Sequence, residues 1–228
     1  MRVVTLPGVF KPRSDSWMLA EVVRERVGGE SSVLDVCTGS GVVAVSAALA
    51  GAGSITAVDV SRRAIVAARM NALINGVRLD ARRGSLFEPV AGQYFDLIAA
   101  NPPYVPALTV AKPRGAARAW DAGPDGRELL AQVIAGARTH LNPGGALLLV
   151  QSSVTGEQRT LELMRAAGLS PSTLRRERSP LGPLHAARAE LLEARGLLEL
   201  GRRHEDVLVI RGLVAQSRVV SDSNGWTG

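Results

Sequence analysis

The stretch Val33-Leu34-Asp35-Val36-Cys37-Thr38-Gly39-Ser40-Gly41, followed by the Val- and Ala-rich run Val42 to Ala50, constrains the fold more than any other part of this 228-residue chain. It reads as a strand, a tight turn and a helix. Its two glycines remove the Cβ atoms that would hold a backbone away from whatever it cradles. The helix that follows aims its free N–H groups at the same point, which suits a polar ligand. A second strand ends in Asp59, twenty residues after Gly39, where a carboxylate can accept both hydroxyls of a ribose.

Apolar runs bounded by turn residues continue the alternation. Strands are expected over Val33 to Cys37, Ile55 to Val60, Arg78 to Arg82, Phe95 to Ala100 and Ala146 to Gln151, then near Thr173 to Arg178 and at Asp206 to Arg211. Helices are expected over Arg13 to Val27 with Ser14 or Ser16 as cap, Gly41 to Ala50, Arg62 to Asn75 and Arg127 to His140. Asn142-Pro143-Gly144-Gly145 should stop the last of these, and further helices are expected over Gly156 to Ala167 and Leu184 to Leu200. Such alternation requires an α/β fold, with parallel strands and helices on both faces. Ligands then gather beyond the carboxyl ends of the strands, where strand order reverses, and the Gly39 turn, Asp59 and Asn101 all arrive there. One domain is expected over residues 1–213, with 214–228 as a flexible tail.

Gly-x-Gly-x-x-Ala alone also fits a nicotinamide-dependent dehydrogenase. Asp35, four residues before Gly39, favours another ligand. A carboxylate inside the turn repels a pyrophosphate but attracts the cationic amino acid end of S-adenosylmethionine. The motif Asn101-Pro102-Pro103-Tyr104, the NPPY tetrad, follows a strand and reads as a grip on a planar NH2 group. The Asn101 side-chain oxygen and the Pro102 carbonyl can accept its two N–H bonds, and Tyr104 can lie against its plane. The prolines stiffen the loop, which limits reorganisation during reaction.

On these residues the chain resembles the class I S-adenosylmethionine-dependent methyltransferases of the release-factor glutamine-N5 type, in the short branch without the N-terminal helical domain. The likeness runs over residues 7–213 and is carried by Lys11 to Ser16, Asp35 to Gly41, Asn101 to Pro106 and Trp120 to Arg127. It implies a seven-stranded Rossmann-like sheet in the order 3-2-1-4-5-7-6, the last strand antiparallel. The resemblance assigns Asp35, Cys37, Thr38, Gly39, Gly41 and Asp59 to the donor pocket, and adds Val60, Ser85, Leu86 and Asn101 to its rim. Asp15 and Ser16 are placed near the methionine end, and Asn101, Pro102 and Tyr104 around the acceptor nitrogen. Cys37 stands where the family commonly has Gly, and Ser85 where it commonly has an Asp that reads the adenine amine. The implied substrate is a protein, a translation release factor being the first choice, and short relatives can rely on a small activator protein.

Composition narrows the alternatives. Apolar residues at 46% and charged residues at 21% are ordinary globular values, and no run of about 18 apolar residues occurs, so no membrane association is expected and cytoplasm is the expected compartment. The net charge of +6 is carried by 25 Arg and two Lys in scattered pairs, which reads as solvated faces. An adenine-N6 amine of RNA or DNA nevertheless presents the same planar NH2. It stays open as the second reading, beside a small-molecule acceptor or a donor-binding subunit without catalysis. The lone cysteine, Cys37, reads as a small buried hydrophobe. His140, His185 and His204 match no metal spacing, so no metal is expected and all three read as non-catalytic. The segment Pro106 to Pro124, with Lys112, Arg114, Arg118, Trp120 and Asp121, is long enough to bind an acceptor; Trp120 either reaches that acceptor or anchors the loop.

Overall fold

The computed structural model describes residues 1–109, 117 and 119–216. Lys112, Arg114 and Arg118 of the expected acceptor loop, and the tail beyond Gln216, lie outside them. Seven strands form one sheet: β1 (Ser32–Val36), β2 (Ser54–Asp59), β3 (Asp80–Arg83), β4 (Phe95–Ala100), β5 (Leu141–Ser152), β6 (Ser170–Pro180) and β7 (His204–Leu213). Their order is β3-β2-β1-β4-β5-β7-β6, with β1 to β5 parallel and β7 antiparallel to both its neighbours. This is the expected topology.

The near-continuous apolar sequence of the central strands follows from burial on both faces. Leu97, Ala99, Leu148 and Val150 enter one core, under α1 (Ser14–Arg24) and α2 (Val42–Leu49). The alternate residues Ile98, Ala100, Leu147 and Leu149 enter the other, under α4 (Glu128–His140) and α5 (Glu157–Ala166). Each such Leu or Ile stabilises the fold by roughly 1.5–3 kcal/mol relative to exposure. The helix α3 (Arg62–Ile74) packs on α2, β2 and β3. Gly41 permits that approach: it caps α2 at φ 79°, and a Cβ there would meet Cα and Cβ of Ala68 at 2.8 Å.

An extended N-terminal segment lies along α3 and is gripped by two asparagines one helical turn apart. Asn71 accepts from Val4 N at 2.8 Å and donates to Val4 O at 2.8 Å, while Asn75 does the same for Arg2 at 2.9 and 2.7 Å. Asn71 also donates to Ser40 O at 2.8 Å, tying this segment to the glycine turn.

Three expectations are corrected in detail. The helix expected over Leu184 to Leu200 is two short ones, α6 (Pro183–Ala186) and α7 (Ala189–Ala194). Arg188 breaks them, leaving helical geometry at φ −115° to hold Pro106 O at 2.7 Å and Asp121 at 2.6 Å. The segment Asn142 to Gly145 does end α4, yet it is itself the irregular start of β5, where the pairing with β4 shifts register between Phe95 and Leu97. Neither Ser14 nor Ser16 caps α1; its N-cap is Arg13, without a side-chain bond, and Ser16 turns toward the cleft described next.

Candidate functional site

A cleft of about 1020 Å³ opens along the rim where β1, β2 and β4 end. Because β7 is antiparallel, its first residues and the end of β6 meet the same rim: Ser152 at the end of β5 pairs with Val207, and Pro180 with His204. The cleft therefore has two halves, one around the glycine turn and one around Asn101 and Tyr104.

In the first half Asp35 is buried, and its carboxylate accepts from Thr38 Oγ1 at 2.5 Å and Ala44 N at 3.1 Å. Burial nevertheless pushes its pKa up to about 7, because two hydrogen bonds do not replace the lost water and the nearby Asp59 charge works in the same direction. A carboxylate in that condition gains from a neighbouring cation. Asp59 accepts from Gly39 N at 3.0 Å and Ser61 N at 2.8 Å; burial outweighs both bonds and raises its pKa. The backbone at Gly39 (φ 55°) has open space around it, so a ligand can come close. Ser40 Oγ is buried and finds no partner among the described residues, although Ser40 lines the cleft. Sequence patterns did not single it out.

Cys37 adopts φ 60°, a conformation that costs a non-glycine residue roughly 1–3 kcal/mol and explains why glycine suits this position. Burial, then the charges of Asp59 and Asp35, push its thiol pKa far up, so it has no thiolate character. Val60, Ser85 and Leu86 line the outer wall, with Leu86 at φ 45°. Gly41 does not line the cleft; its role is the close packing of α2 on α3.

In the second half Asn101 Nδ2 donates to Asp15 Oδ2 at 3.2 Å and to Ser16 Oγ at 3.0 Å. That commits the amide nitrogen, while Oδ1 meets no donor among the described residues. Tyr104 donates its hydroxyl to Asp15 Oδ2 at 2.8 Å. Burial, then the Asp15 charge, raises the phenol pKa well above its ordinary value, so Tyr104 stays neutral. Asp15 is thus the bracket on which both tetrad side chains are mounted. Trp120 is half-buried in the cleft wall, and its backbone carbonyl accepts from Val105 N at 2.8 Å, so it both lines the site and ties the loop down.

The far wall comes from residues that sequence patterns gave no reason to connect with the site: Pro180 to His185, and Glu205. Among the described residues no group of three or more His, Cys, Asp or Glu could hold a metal ion, and no helix is long and apolar enough to cross a membrane.

A doubly wound sheet with β7 inserted antiparallel, a glycine turn after β1 and an acid after β2 defines a Rossmann-like methyltransferase fold. The chain belongs to the methyltransferase small domain family, whose model matches residues 1–116. It is 33% identical to a putative protein N5-glutamine methyltransferase of Methanocaldococcus jannaschii over 78% of this chain and 89% of that protein. A release factor glutamine methyltransferase of Geobacter sulfurreducens is 36% identical over 64% of this chain, which spans only 54% of that relative. Among solved structures, the E. cuniculi Mtq2-Trm112 complex, described as responsible for methylation of the eRF1 termination factor, matches with a TM-score of 0.63. At 18% identity over 91% of this chain and 99% of that one, this likeness speaks for the fold alone. The chain is an S-adenosylmethionine-dependent methyltransferase. The first half of the cleft fits that donor: it has an open glycine turn, a Ser40 hydroxyl without a partner among the described residues and a buried carboxyl that a cation would relieve.

Proposed function

We propose that this chain methylates the side-chain nitrogen of a glutamine in a protein, a translation release factor being the first candidate. The observation that carries the reading is the orientation of Asn101: with Nδ2 held by Asp15 and Ser16, Oδ1, which meets no donor among the described residues, can accept an N–H of a primary amide. The Pro102 carbonyl would accept the second N–H, and the neutral Tyr104 ring would lie against the amide plane. When bound, the donor supplies an electrophilic methyl group on a sulfonium. Asp35, Thr38, Gly39, Ser40 and Asp59 would hold it, with Cys37, Val60, Ser85 and Leu86 around its outer parts and Asp15 and Ser16 near its charged end. In gaining the methyl group, with the C–S bond breaking and its electron pair staying on sulfur, the amide nitrogen would become positive and its N–H groups more acidic. Both carbonyl acceptors would therefore bind more strongly at the transition state than before it, and one N–H proton would then pass to water. A strong base is not needed; alignment does most of the work.

The names of the two relatives support a protein glutamine as acceptor. A second reading, the adenine-N6 amine of a nucleic acid, is favoured by the net charge of +6 and predicts a steep loss of binding with salt. Labelled donor incubated with cell extract, treated afterwards with protease, RNase or DNase, separates them: label removed by protease supports the glutamine reading, and label removed by a nuclease ends it. A small partner protein would find an apolar stripe on α3, where Val66, Met70, Leu73 and Ile74 are exposed at helical spacing beside the free edge of β3. Co-expression with a candidate partner tests this; an unchanged hydrogen-exchange pattern over α3 would argue against it. Residues 1–213 would act as one catalytic unit in the cytoplasm, where translation factors are found.

A further inference from the structure

Glu205 and His185 form a buried pair in the wall facing Tyr104, 5% and 4% exposed. The Glu205 carboxylate accepts from His185 Nδ1 at 2.7 Å, from Gly182 N at 2.5 Å and from Ser152 Oγ. Burial alone would push its pKa up, but these three donors and the nearby imidazole outweigh burial and hold it below the ordinary range. A carboxylate has no proton to give, so Nδ1 carries the hydrogen of this bond, and in the neutral imidazole Nε2 then offers a lone pair. Nε2 is buried and accepts no hydrogen bond from any described residue, while His185 itself lines the cleft, its ring centroid 6.4 Å from that of Tyr104.

A buried acceptor without a donor costs roughly 1–3 kcal/mol, so its retention beside an active cleft calls for a ligand that supplies the donor. Pro180, Leu181, Gly182 and Pro183 of this wall offer no side-chain acceptor, and the Tyr104 hydroxyl is committed to Asp15. A polypeptide entering here loses water from its backbone N–H groups, each of which then needs an acceptor. A phosphate brings no donor and would meet the charges of Glu205 and Asp15.

We infer that His185 is a substrate-binding residue: with its ring oriented by the Glu205 bond to Nδ1, the neutral imidazole uses Nε2 to take a backbone N–H of the acceptor polypeptide next to the methylated side chain. This deepens the protein-glutamine reading and rests on it. His185→Asn keeps a donor toward Glu205 and removes the Nε2 acceptor. With recombinant release factor as substrate, the variant should raise the KM for that protein roughly tenfold, with kcat, melting temperature and affinity for S-adenosylhomocysteine near wild type. In the unmodified chain, the imidazole 15N resonance of Nε2 should shift on adding release factor and stay put on adding S-adenosylhomocysteine alone. An unchanged KM in the variant overturns the inference, and so does an unmoved resonance, which remains decisive if the variant folds poorly. Absence of labelling by the wild-type chain would instead overturn the glutamine reading, and this inference with it.

Discussion

The two halves of the cleft are built in opposite ways. The donor half is local: Asp35, Thr38, Gly39 and Ser40 are neighbours in sequence, and Asp59 joins them through a single hydrogen bond to Gly39 N. The acceptor half is assembled from distant pieces: Asp15 holds Asn101 and Tyr104, and the opposing wall comes from Pro180 to His185 and from Glu205. A local half tolerates change in the rest of the chain, whereas a composite half depends on how several elements dock. Separate lesions should therefore damage donor binding and turnover independently.

The largest effect is expected from Asn101→Ala. Removing one preorganised acceptor should lower kcat at least roughly hundredfold, while donor affinity measured by calorimetry stays within about twofold of wild type, since the turn around Gly39 is untouched. Near-normal turnover would sink the gripping model. Gly41→Ala should act through the fold instead. Its Cβ would press on Ala68 at 2.8 Å from a φ of 79°, so a loss of about 2 kcal/mol or more in thermal unfolding is expected, with weaker donor binding.

The pH dependence sharpens the same contrast. Asp35 has a folded pKa of about 7 against an ordinary 3.8, so the folded chain keeps a proton that the unfolded chain releases between those values. The stability that this group contributes is full below the lower value and is lost as pH rises toward the upper one. Pairing with a cationic donor requires the ionised form, so donor affinity should increase with pH up to about 7, by at most roughly tenfold per unit. Asp35→Asn should flatten both profiles in calorimetric titrations; unchanged slopes would remove Asp35 from the donor's charged end. The smallest effect is expected from Ser85→Asp. Giving the adenine side a charged acceptor should tighten donor binding by a few fold without altering the KM for protein.

The same contrast explains what could be read from the chain. Topology and the donor half were legible because continuous apolar runs bounded by turn residues, the Gly39 turn and Asp59 each act over a few residues. The tetrad at Asn101 was legible as chemistry, but not its mounting: nothing near Asn101 in sequence reveals that Asp15, more than eighty residues earlier, holds its amide. His185 was set aside for lack of metal spacing, a test blind to a lone imidazole oriented by Glu205 twenty residues later. The break between α6 and α7 escaped for a related reason. Arg188 has good helical propensity, and only the long-range pull of Asp121 and Pro106 turns it out of the helix.

The antiparallel placement of β7 has a consequence for synthesis. Translation delivers the glycine turn, Asp59 and the tetrad within the first half of the chain, but Glu205 and the strand that seats it emerge about a hundred residues later. The wall opposite Tyr104 is complete only once β7 lies between β5 and β6. Because Leu208 and Ile210 enter one core and Val207 and Val209 the other, the last hairpin closes both faces of the sheet at the same moment as it completes that wall.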